Sequence, residues 1–409
     1  MPKPQLTSKW QQVWLLSIAE LLAMTLWFSA SAVVPQLVEL WHLSSAQRSW
    51  ITMSVQLGFV CGALGSAMLN LPDRISSTKL VAISAFVGAI VNGIIPMAST
   101  GFYMTLVLRF LTGAALACVY PPGMKLIATW CKEDRGLGIG ILVGALAVGS
   151  AFPHLIAGAA LLREVSFVPW RTLMIITSLQ AIVGGLMILI WFRPGPHLTA
   201  SAPFNWKFAG ELFWYRPTRL ANFGYLGHMW ELYAMWTWAP IVMVESYRAA
   251  GWSEGWGRVS GFSIIAVGFL GCLLAGKLAD RYGRTTVTIA SLVASGICSL
   301  VAGSLIPFPA LFTLFCLIWG FAAVADSAQF SAAVSELSDP RYVGTALTVQ
   351  TSLGFLLTMA TIHLMPVAAV AFGWDLALML LAIGPVFGIL SMARLRQLPE
   401  SLKMAGGKR

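Results

Sequence analysis

Seven ionisable side chains stand inside runs of apolar residues: Glu20, Arg109, His154, His228, Glu231, Asp326 and His363. A charge placed at the centre of such a run costs about 2.5–3.5 kcal/mol on insertion scales, so a chain keeps it chiefly where it works. The work open to these groups is proton binding, compensation of a solute's charge, or an interhelical hydrogen bond. Helical spacing sorts them by face. Glu20, Met24, Trp27 and Ser31 share a stripe, as do His228, Glu231, Met235 and Trp238. Arg109, Gly113, Leu116 and Tyr120 align, and so do Ala322, Asp326 and Gln329. A stripe packed on lipid or core accounts for the Met and Trp residues but not for the charges. A charge beside aromatic or small residues is what a binding cavity requires. A carboxyl group removed from water takes up a proton more readily, which makes Glu20 and Glu231 candidate proton carriers. His228, one turn from Glu231, is placed to relay or share that proton. The plainer reading of Glu20 is a hydrogen bond to a neighbouring helix. Arg109 can bind an anionic solute or form an interhelical salt bridge. His154 and His363 can serve as simple helix–helix hydrogen-bond groups.

Composition identifies the elements that hold these groups. The chain of 409 residues is 58% apolar and 10% charged, against roughly 45–50% and about 25% for a soluble globular protein. So few charges exclude a soluble enzyme, a disordered chain and a nucleic-acid binder. Apolar runs long enough to cross a hydrocarbon layer recur at 13–34, 50–69, 80–98, 102–124, 137–161, 172–192, 221–245, 257–276, 287–306, 311–334, 343–366 and 375–393. These twelve spans are expected to be helices, because a segment in lipid must satisfy its own backbone hydrogen bonds. The first resembles a signal peptide ending at Ala30-Ser31-Ala32, but its apolar run is too long and contains Glu20, so it is read as a retained span.

With the N-terminus in the cytoplasm, twenty Lys and Arg residues fall on that side, from Lys3 and Lys9 to Lys408 and Arg409. Five fall on the other: Arg48, Arg163, Arg171, Arg248 and Arg258. With Arg109 these account for all 26, and the asymmetry explains the net charge of +10 without a nucleic-acid partner. Cys61, Cys118, Cys131, Cys272, Cys298 and Cys316 lack metal-ligand spacing and read as small apolar side chains. Gly271 to Lys277 fits a phosphate-loop pattern, but Leu278 follows where Ser or Thr is needed, and most of the match lies inside a span.

The two halves repeat. Residues 1–192 and 221–409 each hold six spans, joined by a hydrophilic linker at 193–220 that carries Pro194, Pro196, Pro203 and Pro217. The pattern E-L-x-A-M-x-x-W begins at Glu20 and again at Glu231, 211 residues later, and ends at Trp27 and Trp238. Weaker echoes pair Gly113 with Gly320, Asp134 with Asp339, Gly144 with Gln350, and Pro153-His154-Leu155 with Ile362-His363-Leu364. Both halves start on the same side, so the repeat is parallel, about an axis along the membrane normal. Transporters of that design bind solute near the midplane, between the halves.

The loop after span 8, Gly276-Lys277-Leu278-Ala279-Asp280-Arg281-Tyr282-Gly283-Arg284-Thr285, closely resembles the G-x-L-a-D-R-x-G-R-K signature of the major facilitator superfamily. The equivalent loop after span 2 keeps Asp73-Arg74 and little else, and Arg109 with Gly113 is similar to the family's R-x-x-x-G element. The resemblance implies two six-helix bundles, an all-α membrane fold, a central cavity lined by spans 1, 4, 7 and 10, and alternating access. It also implies that Arg109 acts in proton coupling. The substrate and proton site is then expected from Glu20, Trp27, Arg109, Tyr120, His228, Glu231, Trp238, Asp326 and Gln329. A gate is expected from Asp73, Arg74, Gly276, Asp280, Arg281, Gly283 and Arg284. Asp280 would pair with Arg and cap the N-terminus of span 5, near Gly136 to Gly140. Gly58-x-x-x-Gly62 and Gly140-x-x-x-Gly144 mark close helix packing. Tyr120-Pro121-Pro122-Gly123 should break or kink span 4.

The function expected is secondary active transport of a small molecule or ion driven by protons. A passive facilitator keeps the fold and drops the coupling, whereas a non-transporting sensor would need a partner surface. No H-E-x-x-H or G-x-S-x-G motif suggests an enzyme, and no metal or cofactor is implied. The expected setting is a monomer in the lipid bilayer of the plasma or inner membrane, with both termini cytoplasmic.

Overall fold

The computed structural model describes residues 8–98, 101–131, 134–162, 168–197 and 204–409, and among them the regular structure is helical throughout. Nine stretches of the described residues are long and apolar enough to cross a membrane. One of these, Val343–Arg396, holds two passes, because Gly373 takes a positive φ of 86° and turns the chain. With the helices of spans 1 and 7 the passes number twelve.

Spans 2, 3, 5 and 6 are the helices Ser45–Met68, Ser77–Met97, Arg135–Leu162 and Trp170–Trp191. Spans 7 and 9 are Arg216–Ala249 and Arg284–Ala302. Span 7 begins five residues before the expected 221: Pro217 in its first turn favours initiation there. Four spans are broken. Span 1 runs as Lys9–Met24, a turn, the 3₁₀ segment Ser31–Val33 and Val34–Trp41. Span 4 is Phe102–Leu116 and Tyr120–Ala128, so the Pro-Pro pair opens its second piece. Span 8 is Glu254–Ala266 and Gly268–Tyr282, and span 10 is Pro309–Ala325 and Ser327–Leu337 with Asp326 at the junction. The linker carries a short helix, Trp206–Trp214, whose Phe208 stacks on Tyr342. Large apolar side chains such as Leu179, Val183, Ile297 and Leu314 point outward and are exposed, the surface a bilayer covers.

Close backbone approach explains the glycines. A Cβ at Gly113 in span 4 would lie 1.9 Å from the Val55 carbonyl oxygen in span 2, and one at Gly320 in span 10 would lie 1.6 Å from that of Ile264 in span 8. The two glycines therefore perform one packing role in the two halves. Replacing Gly320 with alanine is expected to force spans 8 and 10 apart at a cost of about 1–3 kcal/mol. A clear fall in thermal unfolding temperature of the purified protein checks this; an unchanged one would remove the packing role.

The halves meet along two seams. Span 5 lies on span 8, with Gly136 against Gly276, Gly140 against the Cys272 carbonyl, Gly144 against Phe269 and Gly158 against Arg258 and Val259. Span 2 lies on span 11, where the Thr358 hydroxyl donates to Gln56 Oε1 at 3.0 Å. Lys9 pairs with Asp134, and Lys408 Nζ donates to the Asp280 carbonyl, so both described ends of the chain lie at one face, with the loops after spans 4 and 8.

Candidate functional site

The break in span 1 sets the geometry of the N-terminal half. Helical hydrogen bonding stops at Met24, so carbonyls beyond it need donors from elsewhere. Arg109, fully buried in span 4, supplies them. Its Nη1 donates to the Leu26 carbonyl at 2.8 Å, to Ser29 Oγ at 3.2 Å and to Asn92 Oδ1 at 3.3 Å, while Nη2 donates to the Trp27 carbonyl. These partners are carbonyls and a hydroxyl; no carboxylate is among them. The break also ends the stripe that spacing predicted past Met24. Ser31 turns away to pair with Thr52 Oγ1 at 2.8 Å.

Glu20 lies before the break, 2% exposed, and neither carboxyl oxygen has a hydrogen-bond partner. It packs on Gly123 of span 4, where an added Cβ would sit 2.9 Å from Oε2. Tyr120 lies within electrostatic reach of Glu20 and, across the seam, of Tyr225 and Tyr233. Beyond the break the seam is a wall of rings. Trp27 contacts Phe59, Tyr233 and Phe355 at centroid distances of 5.3, 5.7 and 5.3 Å, and Tyr233 meets Trp236 at 5.1 Å. The ring nitrogens of Trp27 and Trp236 have no partner. Spans 1, 2, 7 and 11 all contribute, so the wall belongs to both halves.

The C-terminal half buries its acids differently. Glu231, 1% exposed, accepts from Ser295 Oγ at 2.8 Å and Trp319 Nε1 at 2.7 Å, which binds it to spans 9 and 10. His228 Nδ1 stands 2.8 Å from Asp326 Oδ1, both side chains 1% exposed, and His228 Nε2 and Asp326 Oδ2 have no partner. Glu20 and Glu231, equivalent in the repeat, are thus not partners across the seam. The offset that carries Gly113 to Gly320, 207 residues, carries Gly123 to Phe330. Glycine leaves room beside Glu20, whereas Phe330 fills that place in the second half, its ring 5.6 Å from His228. Trp238, the counterpart of Trp27, donates to the Ile362 carbonyl at 3.0 Å and lies against Trp374, away from the ring wall. His154 stands beside Phe28, its Nε2 without a partner.

Gln329 faces the expected gate instead of the acids. Its Oε1 accepts from Arg284 Nη1 at 2.8 Å. Arg284, nearly buried, also binds Asp280 Oδ1 at 2.9 Å and Glu336 Oε1 at 3.0 Å. The Asp280 carboxylate stands against Gly136 in the first turn of span 5, where a Cβ would lie 2.9 Å from either oxygen. Gly283 has φ +98°, the left-handed region, and Gly276 packs on the Gly136 carbonyl. Arg281 is exposed over the Tyr282 ring. In the other half Arg74 is exposed at the end of the short helix Leu71–Arg74, and the side chain of Asp73 lies outside the described residues. Sequence reasoning missed Glu336, Ser295, Trp319 and Gln56. Glu336 was visible as an acid two turns after Gln329, but it falls beyond the apolar run that framed span 10.

Two six-pass helical halves, with buried charges and a ring-lined seam between them, define a polytopic membrane protein built by duplication. The Major Facilitator Superfamily model matches residues 16–358, and the chain belongs to that superfamily. Its fold matches the solved structure of the proton:xylose symporter XylE bound to 6-bromo-6-deoxy-D-glucose, with a TM-score of 0.71 over 96% of each chain at 12% identity. Sequence relatives include the allantoate permease of Saccharomyces cerevisiae, 25% identical over 37% of this chain and 28% of the relative. The MFS transporter asaE of Aspergillus flavus is 24% identical over 74% of this chain and 66% of its own length. The 3-(3-hydroxy-phenyl)propionate transporter of Escherichia coli is 32% identical over 36% of each. The chain spans less than two thirds of the length of each of these three relatives.

Proposed function

We propose that this protein is a secondary active transporter that carries a small solute by alternating access and couples that movement to protons. The observation that carries the reading is the buried His228–Asp326 pair at 2.8 Å, which keeps one unpartnered polar atom on each residue. Such a pair can gain or lose a proton only when a path to water opens, which alternating access provides to each side in turn. A charge change there shifts the balance between the two forms by whatever its differential interaction with them is. The Asp280–Arg284–Glu336 cluster against span 5 is the contact that would part as the face bearing the termini opens. The Lys and Arg asymmetry places that face in the cytoplasm, and the protein acts as a monomer in the plasma membrane.

Two relatives are named for carboxylates, allantoate and 3-(3-hydroxy-phenyl)propionate. A carboxylate solute needs a cation at the seam, and Arg109 already spends Nη1 and Nη2 on span 1. The test is transport in proteoliposomes with an imposed pH gradient, screened over amines, carboxylates, inorganic anions and metal ions. Accumulation above equilibrium, abolished by a protonophore, is the expected result. Equilibration alone would make the protein a facilitator, and the absence of any flux would end the transporter reading.

A further inference from the structure

Glu20 stands apart among the buried acids. Glu231 has two hydrogen-bond donors and Asp326 has His228. Glu20 has none, at 2% exposure. A buried carboxyl without a donor is costly, so the site is completed by something that comes and goes: a proton or a cation. The space beside it is kept open by glycine, as Gly123 sits where the other half has Phe330. Tyr120 joins Glu20 to the ring wall, whose Trp27, Phe59, Tyr233 and Phe355 pack at 4.7–5.7 Å with the Trp27 Nε1–H unused. Aromatic faces attract cations. The wall also spans both halves, so it must part when they rock, and a flat ring can enter between its members.

Building on the transporter reading, we propose that the solute is a ring-bearing organic ammonium ion, its charged nitrogen held by Glu20 and its ring laid against Trp27, Tyr233 and Phe355. Arg109 does not oppose this, because its charge is bound to the carbonyls of the span 1 break.

The test measures binding to the purified full chain by calorimetry and by intrinsic tryptophan fluorescence. The probes are 2-phenylethylamine, tryptamine and 3-phenylpropionate, the last offering the same ring with the opposite charge. Both amines should bind and alter the fluorescence, 3-phenylpropionate should not, and Glu20→Gln should weaken amine binding by about tenfold or more. Unfolding temperature of the variant confirms that it is folded. Amine affinity unchanged in Glu20→Gln would make Glu20 a proton site only and overturn the proposal. Preference for 3-phenylpropionate, or no binding of either amine, would overturn it equally. Gradient-driven transport of 3-phenylpropionate would remove the ammonium assignment while leaving the transporter standing.

Discussion

Replacing Arg109 with methionine should cost the protein its fold before it costs any coupling. Methionine matches the apolar bulk of the arginine stem but donates nothing. The Leu26 and Trp27 carbonyls, together with Ser29 and Asn92, lose their donor in a region without water. Each orphaned carbonyl costs about 1–3 kcal/mol, and two of them take up a large part of the 5–15 kcal/mol that typically separates a folded protein from its unfolded state. Size-exclusion chromatography and thermal unfolding in detergent should show little monodisperse protein. Arg109→Lys should recover only part of the loss. One ammonium nitrogen cannot reach two carbonyls in the fixed fork that guanidinium provides. If Arg109→Met instead folded with an unchanged unfolding temperature and lost only gradient-driven accumulation, Arg109 would belong to proton chemistry, as the family resemblance implies. The structure favours the clamp because the charge is already saturated by backbone.

Much of this architecture could be read from residue order, and the reason is physical. A membrane imposes one requirement on every pass, a long apolar helix, and the positive loops and the repeated E-L-x-A-M-x-x-W left little freedom in arrangement. Gly113 and Gly320 could be paired because a glycine at a helix crossing is demanded by backbone contact, whatever surrounds it. The site was less legible. Periodicity places a side chain on a face only while the helix continues, and span 1 stops at Met24. Trp27 therefore reaches the ring wall along a turn instead of a stripe. Sequence equivalence also does not carry environment. Glu20 and Glu231 occupy matching positions, yet Gly123 beside one and Phe330 beside the other send their carboxylates to different surroundings. Gln329 shares a face with Asp326 by spacing, but a chain break lies between them and Gln329 turns to Arg284.

Replacing Asp326 with asparagine should abolish accumulation while leaving exchange intact. A gradient of two pH units holds about 2.7 kcal/mol per proton, enough for about 100-fold concentration of a neutral solute carried with one proton. Asparagine keeps the shape and can still accept from His228, but it takes up no proton. The accumulation ratio should therefore fall from up to about 100 to about 1, while labelled solute continues to exchange against unlabelled solute. The position of Asp326 says why its charge would matter at a distance. It is the junction of span 10, where Gln329 and Phe330 N–H groups both donate to its carbonyl. The helix it opens, Ser327–Leu337, carries Gln329 and Glu336, and both of these hold Arg284. One rigid helix of 11 residues thus connects the proton pair to the cluster against span 5. A proton on Asp326 weakens its attraction to His228 and removes negative charge from the start of that helix, so a small tilt there moves Gln329 and Glu336 relative to Asp280. Wild-type accumulation by Asp326→Asn would detach this helix from the coupling and direct the search to Glu231, the remaining buried acid of the C-terminal half.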